Sequence, residues 1–211
     1  MYKTNRRTFI RHGIIGGTIS LFTRSVYALR PTATEIEGPF YPVVAQKDKD
    51  FDLTKIEGQQ GVAKGKIIMV QGRILDTDGS AIENATIDLW QANSAGRYRH
   101  PHDANQAPLD SNFQGWAIVF SGKNGVFRFK TIYPGSYPAS ATWTRPPHIH
   151  FKVSKNGYIE IVTQMYFPGH ELNNTDRLLQ RKRKEDSDLM IASKINEVPE
   201  TYEYKIVLQK V

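Results

Sequence analysis

The sequence predicts an all-β fold: a two-sheet β-sandwich with long loops and one short C-terminal helix. Seven short runs rich in β-branched and aromatic residues recur along the chain, and Asx-Gly dipeptides between them mark tight turns. Only one stretch has helical character. With 211 residues, 39% of them hydrophobic and 23% charged, the chain is long enough to bury one core.

The first 28 residues stand apart. Asn5-Arg6-Arg7-Thr8-Phe9-Ile10-Arg11 precedes a weakly apolar run from Gly13 to Phe22, and Val26-Tyr27-Ala28 supplies the small-x-small pattern that leader peptidases accept. The pattern resembles a bacterial twin-arginine export signal, which implies a periplasmic or secreted protein, exported folded and often with its cofactor in place. The apolar run is about half the ~20 residues a spanning helix needs, so no stable membrane insertion is expected.

Residues 29–211 read as one domain. A polar, irregular arm occupies residues 43–60, and strands are expected over 66–75, 85–91, 116–121, 126–132, 148–154, 158–167 and 202–210. Asp78-Gly79, Asn124-Gly125 and Asn156-Gly157 are placed to close hairpins, and seven such strands imply a sandwich. Residues 93–115 form a long loop, a common seat of function. Residues 176–192 look helical; their Arg181-Lys182-Arg183-Lys184 run reads as a solvated face, with an acidic partner as the other reading.

A net charge of +7 and a pI near 9.5 raise nucleic acid as a partner. Five of the 28 basic residues, however, lie in residues 1–28 with no acid among them, which leaves 23 basic against 21 acidic residues in the domain. No nucleic-acid partner is expected. The absence of cysteine excludes disulfides and thiolate metal sites, leaving His, Tyr and carboxylates as protein ligands.

In His148-Ile149-His150-Phe151-Lys152-Val153 the apolar residues alternate with the polar ones, so the two imidazoles share a face. They lie roughly 6.5–7 Å apart along the backbone and can converge on one metal at ~2.1 Å, although a bare His-x-His is as readily solvated. Arg145, three residues ahead, would repel a cation unless anions were also present. Tyr98 in the long loop and Tyr137 in Pro134-Gly135-Ser136-Tyr137-Pro138 are candidate anions. A phenol with a free pKa near 10 ionises at pH 7 only beside a strong cation; taken singly, each is equally a rim aromatic whose hydroxyl meets water.

These motifs fall in an order that resembles the intradiol ring-cleavage dioxygenases, in particular their single-domain, protocatechuate 3,4-dioxygenase-like branch. The matching segments are Glu37-Gly38-Pro39-Phe40-Tyr41, Gly72-Arg73-Ile74-Leu75-Asp76, Leu89-Trp90-Gln91-Ala92-Asn93, Gly96-Arg97-Tyr98-Arg99-His100, Leu109-Asp110-Ser111-Asn112-Phe113, Thr131 through Pro138, Arg145 through Phe151, and Thr163-Gln164-Met165-Tyr166-Phe167. The resemblance implies that Tyr98, Tyr137, His148 and His150 hold a non-haem Fe(III), with water or hydroxide in a fifth position. It implies a catecholic substrate and O2, with ring cleavage between the hydroxylated carbons to a muconate-type diacid. Tyr137 would be the ligand the substrate displaces, Arg145 the electrostatic stabiliser and Gln164 its orienting neighbour, while Ile36, Pro39 and Phe40 would line the substrate pocket.

Relatives specialised for protocatechuate carry a tryptophan where this chain reads Ala139 after Tyr137-Pro138, which leaves the particular catechol open. Whether the chain forms a homo-oligomer is also open. The alternative from another class is a non-catalytic transthyretin-like or carrier sandwich that binds a partner or metal, because residues 72–89 also read as a generic strand, Asp-Gly turn and strand. That alternative gives no reason for Tyr98, Tyr137, Arg145, His148 and His150 to converge.

Overall fold

The structure, a computed structural model, describes residues 28–211. The leader reading therefore falls on residues outside the described ones. The strands are β1 (Ile67–Asp76), β2 (Thr86–Trp90), β3 (Trp116–Phe120), β4 (Val126–Ile132), β5 (Tyr137–Ser140), β6 (Trp143–Arg145), β7 (His148–Ser154), β8 (Ile161–Tyr166), β9 (Ser193–Glu197) and β10 (Glu200–Leu208), with one α-helix, α1 (Lys184–Met190), before β9. One sheet has the order β4-β1-β10-β9, the other β3-β2-β7-β8, and β5-β6 form a separate two-stranded ribbon. The predicted two-sheet sandwich is the fold.

Alternation explains the layers. On β1, Ile68, Val70 and Ile74 point inward; on the other sheet Ile87 and Leu89 of β2, and Ile149, Phe151 and Val153 of β7, do the same, all nearly inaccessible to solvent. Aromatic rings lock the two sheets together: Phe151 lies 6.2 Å from Phe127, 6.1 Å from Phe129 and 5.4 Å from Tyr204, ring centre to ring centre. Fully burying one such side chain stabilises the fold by about 1.5–3 kcal/mol.

The arm at residues 43–60 does carry no strand, yet it is tied down. Lys49 accepts a hydrogen bond from the β3 amide of Ile118, and Phe51 and Leu53 pair with Lys130 of β4. The arm thereby covers the edges of both sheets, where unpaired backbone groups would otherwise be open to another chain.

Three departures from expectation have physical causes. Of the three Asx-Gly turns, only Asn156-Gly157 closes a hairpin between paired neighbours, β7 and β8. Asp78-Gly79 makes a tight turn with a single Leu75–Ala81 bridge before the chain crosses to the other sheet, and Asn124-Gly125 carries β3 over to β4 in the opposite layer. Turn chemistry fixes a local reversal but not which sheet receives the next strand. The helix is shorter than residues 176–192, because Lys182 and Arg183 are extended and split a 3-10 turn at Leu179–Arg181 from α1. Strands β5, β6 and β9 were not expected: the first two are short, and β9 is exposed along its whole length and has no apolar face. The basic run is solvated at Arg181, Arg183 and Lys184, while Lys182 pairs with Glu35 at 3.0 Å.

Gly72 sits where β1 runs between β4 and β10, and a Cβ there would lie 1.8 Å from the Tyr204 carbonyl oxygen and 2.7 Å from the Phe127 ring. Gly72→Ala is expected to destabilise the protein by about 3 kcal/mol, the upper part of the usual overpacking range. A urea midpoint equal to that of the parent would contradict this.

Candidate active site

Strand β7 is paired on both sides, and its register places the site. His150 lies opposite Trp90 of β2 and opposite Gln164 of β8, and His148 lies opposite Tyr166. Directly opposed residues share a face, so Trp90, His150 and Gln164 form one row across three strands. The imidazole of His150 lies flat on the Trp90 indole, with ring centres 4.7 Å apart and planes 11° apart. On another side Gly38, at φ +80°, brings its backbone so close that a Cβ would be 3.5 Å from His150 Cε1.

Two glycine-bearing turns supply the tyrosines. Asn93 Oδ1 accepts from the amides of Ala95 and Arg97, and Asp103 Oδ2 accepts from the Tyr98 amide at 2.7 Å, which sets the loop. Gly96, at φ +77°, and Gly135 let this turn press against the turn that carries Tyr137: a Cβ on Gly96 would lie 2.2 Å from the Ser136 oxygen, and one on Gly135 would lie 2.4 Å from the Gly96 nitrogen. The tyrosines meet edge to face, with ring centres 5.5 Å apart.

Three donor atoms then converge. Tyr98 Oη is 3.3 Å from His148 Nε2 and 3.2 Å from His150 Nε2, and the two Nε2 atoms are 3.2 Å apart. His148 Nδ1 lies 2.7 Å from the Pro146 carbonyl, which can only accept, so Nδ1 carries the proton and Nε2 presents a lone pair. His150 Nδ1 is buried and has no hydrogen-bond partner among the described residues. The single Tyr98 proton can satisfy only one of the imidazole nitrogens. A neutral His150 can place its own proton on Nε2 and point it at His148, or the two nitrogens can both turn lone pairs on a cation between them.

Burial decides the charges. It pushes the Tyr98 hydroxyl well above its ordinary range and raises that of Tyr137, where Arg145 opposes the rise. Burial, and then the Arg145 charge, drive both histidines well below theirs. Without a cation all four groups are neutral. Among the described residues no cluster of three or more His, Asp or Glu forms, so a metal here depends on the tyrosines.

Arg145 is 3% exposed and its guanidinium is held by a carboxylate the sequence did not single out, Asp176, with Nε to Oδ2 at 2.9 Å. Its Nη2 donates to Gln164 Oε1 at 2.9 Å and to Tyr166 Oη at 2.7 Å. All nine residues singled out in the sequence gather here: the four His and Tyr side chains and Arg145 at the centre, Gln164 beside Arg145, and Ile36, Pro39 and Phe40 on the wall of a cleft of about 320 Å³. Ala139, Trp143 and Leu178 add to its apolar lining. The stacking role of Trp90 and the anchoring role of Asp176 were missed, since each depends on a contact distant in sequence, and that of Asp103, five residues from Tyr98, because the loop between them has no periodicity to read.

A family model described as "Dioxygenase" matches residues 36–210. The chain belongs to this dioxygenase family. It is 37% identical over 196 residues to the protocatechuate 3,4-dioxygenase beta chain of Burkholderia cepacia, covering 89% of this chain and 83% of that one. A chlorocatechol 1,2-dioxygenase of Cupriavidus pinatubonensis is 34% identical over 152 residues, 64% of this chain and 54% of that protein, so the match spans about half of that relative's length. Among solved structures, the dioxygenase domain of a carbohydrate-binding fusion from Streptomyces sp. SirexAA-E superposes with a TM-score of 0.65 at 25% identity, over 86% of this chain and all of that one. A 3-chlorocatechol 1,2-dioxygenase from Rhodococcus opacus, at 22% identity and TM-score 0.66 over 86% of this chain and 73% of that one, shares the fold. The dioxygenase is thus an oxidoreductase of the intradiol ring-cleaving kind, and the carrier alternative is set aside.

A pH dependence follows from the buried histidines. In the metal-free folded protein His148 and His150 stay neutral, whereas in the unfolded chain they take up protons below about pH 6.5. The unfolded state then binds more protons, so the metal-free protein should lose thermal stability as the pH falls from about 7 to 5. A His148→Gln/His150→Gln variant should show a shallower decline; an unchanged slope would contradict the assignment.

Proposed function

We propose that this dioxygenase is an exported, non-haem Fe(III) enzyme that opens the ring of a catechol between its two hydroxylated carbons with O2, giving a muconate-type diacid. Tyr98, Tyr137, His148 and His150 would hold the iron. The observation that carries this reading is the buried triangle of Tyr98 Oη, His148 Nε2 and His150 Nε2, with edges of 3.2–3.3 Å. Donors bonded to one cation at ~2.1 Å and at right angles lie about 3.0 Å apart, so the spacing fits a shared ion. The donor chemistry fits too: two phenolates offset two of the three charges of Fe(III), where an unbalanced buried charge would be costly. Bound Fe(III) supplies the electron withdrawal that opens a chelated catecholate to O2.

The remaining work falls to the chain. Tyr137, the less buried of the two tyrosines, would be a phenolate beside the cation, and in that form is suited to take a catechol proton at Oη when the substrate arrives. Arg145 turns Nη1 toward the centre and stabilises negative charge gathering on the ring, and Gln164 holds the opposite corner of its guanidinium. Ile36, Pro39 and Phe40 line one side of the cleft, with the Phe40 ring centre 4.8 Å from that of Tyr98. A catecholic substrate is supported by the relatives, which act on protocatechuate and chlorocatechol. Export is supported by Arg6-Arg7, the short apolar run and the acid-free composition of residues 1–28.

Ferric tyrosinate absorbs visible light, so the iron-loaded protein should be wine-red and a Tyr98→Phe/Tyr137→Phe variant should lose the colour. A colourless parent containing stoichiometric iron would overturn the ligand set. Oxygen consumption is expected with at least one of catechol, protocatechuate, hydroxyquinol and alkyl catechols, and silence across the panel would overturn the activity. Arg6→Lys/Arg7→Lys should abolish periplasmic accumulation; unaffected export would rule out the twin-arginine route.

A further inference from the structure

We infer that Asp176 is a positioning residue for ring cleavage: it fixes the rotation of the Arg145 guanidinium and neutralises its charge. The inference rests on the ring-cleavage reading above. Asp176 is fully buried and Arg145 almost so, with 0% and 3% of their surfaces exposed. The carboxylate takes Nε of Arg145 at 2.9 Å and Nη2 at 3.3 Å, which grips one edge of the planar guanidinium. Nη2 is further held by Gln164 and Tyr166, whereas Nη1 lies 3.4 Å from His148 Nε2. The grip on one edge leaves the opposite corner facing the site where the histidines and Tyr98 converge.

Asp176 is itself anchored. Its Oδ1 accepts from the amides of Leu178 at 3.2 Å and Leu179 at 2.9 Å, and from the Tyr166 hydroxyl at 3.3 Å. A carboxylate fixed by two backbone amides cannot follow the arginine, so the arginine follows it. The same pairing answers an electrostatic difficulty. A lone buried guanidinium 3.4 Å from His148 Nε2 would oppose any cation bound there, and the Asp176 charge cancels that opposition. The segment that carries Asp176 also supplies Leu178 to the cleft wall, so wall and guanidinium share one support.

The test is Asp176→Asn in the full, iron-loaded protein, read beside Arg145→Met and the double variant. Asn keeps an oxygen for the Leu178 and Leu179 amides but removes the charge. Iron affinity should fall, because the Arg145 charge is no longer offset; in protein reconstituted to the parent's iron content, anaerobic binding of 4-methylcatechol should stay within about threefold of the parent while kcat falls about 10- to 100-fold, the usual range for a partner that orients an active group. The double variant should turn over no more slowly than Arg145→Met alone, because Asp176 acts through Arg145. A kcat within twofold of the parent, or losses that multiply in the double variant, would overturn the inference. If Asp176→Asn does not fold, Asp176→Glu is read in the same way: it keeps the charge but shifts the carboxylate by one methylene, so unchanged turnover overturns the inference. A parent that cleaves no catechol counts against the ring-cleavage reading instead. The coupling is then read from unfolding midpoints, where additive losses from the two single variants overturn it.

Discussion

Strand β7 meets two opposed demands on its two faces, and the rest of the site depends on how they are reconciled. Ile149, Phe151 and Val153 must enter the core between the sheets, while His148 and His150 must reach the loops on the other side, and both sets are buried. A register slip of one residue would exchange them and place two imidazoles among phenylalanines. Pairing on both edges prevents the slip. It also determines which side chains become neighbours of the histidines, because Trp90, Gln164 and Tyr166 are brought alongside by register. The stacked Trp90 holds His150, whose Nδ1 has no hydrogen-bond partner among the described residues, whereas the Nδ1 of His148 is oriented by the Pro146 carbonyl. The Arg145-Pro146-Pro147 lead-in therefore supplies both a rigid entry to the strand and the acceptor that sets a tautomer.

Electrostatics then divides the site into two parts. One part is neutral by desolvation: two phenols and two imidazoles whose charged forms burial disfavours. The other is charged but balanced, Arg145 against Asp176. Had Arg145 been unpaired, it would have added to the cost of ionised histidines and of any metal. Had the tyrosines been aspartates, the neutral part would have carried charge without a cation. The arrangement keeps the metal-free fold tolerable while leaving donors that ionise only when a strong cation compensates them.

What could be read from the sequence was whatever repeats along a strand or turn. The alternation in residues 148–154 gave both the core face and the shared face of the histidines, and residues 126–132 gave β4 to the residue. Gly96 and Gly135 stood in motifs next to the tyrosines, and the structure supplies their reason: two backbones in contact. Asp176 was not legible because its role comes from Arg145, 31 residues away, and from a turn within a stretch that looked helical. The β5-β6 ribbon was hidden for a related reason. Three- and four-residue strands broken by a bulge carry too little periodicity to register, even though this ribbon sets Tyr137 opposite Arg145.

The floor and the walls of the cleft differ in how free they are to vary. On the floor Gln164, Arg145 and Tyr166 all have buried partners, so a substitution there strands another polar group. The wall at Gly38, Pro39 and Phe40 is hydrogen-bonded at its ends, by the Ile36 carbonyl accepting from Gln164 and by the Tyr41 hydroxyl donating to Asp88 at 2.7 Å, and between them it rests on packing, Phe40 against Tyr98. Facing it, the ribbon presents Ala139 and Trp143, the latter with the guanidiniums of Arg145 and Arg177 each 5.5 Å from its ring. Ala139 touches the cleft with apolar surface and can change size without leaving a charge or donor unmet, whereas Trp143 is held by the two guanidiniums. A ring seated against the floor would therefore have its reacting edge governed by fixed groups and its substituents governed by the walls. The exchange of a bulky residue for Ala139 falls on the side of the site where the fold tolerates exchange.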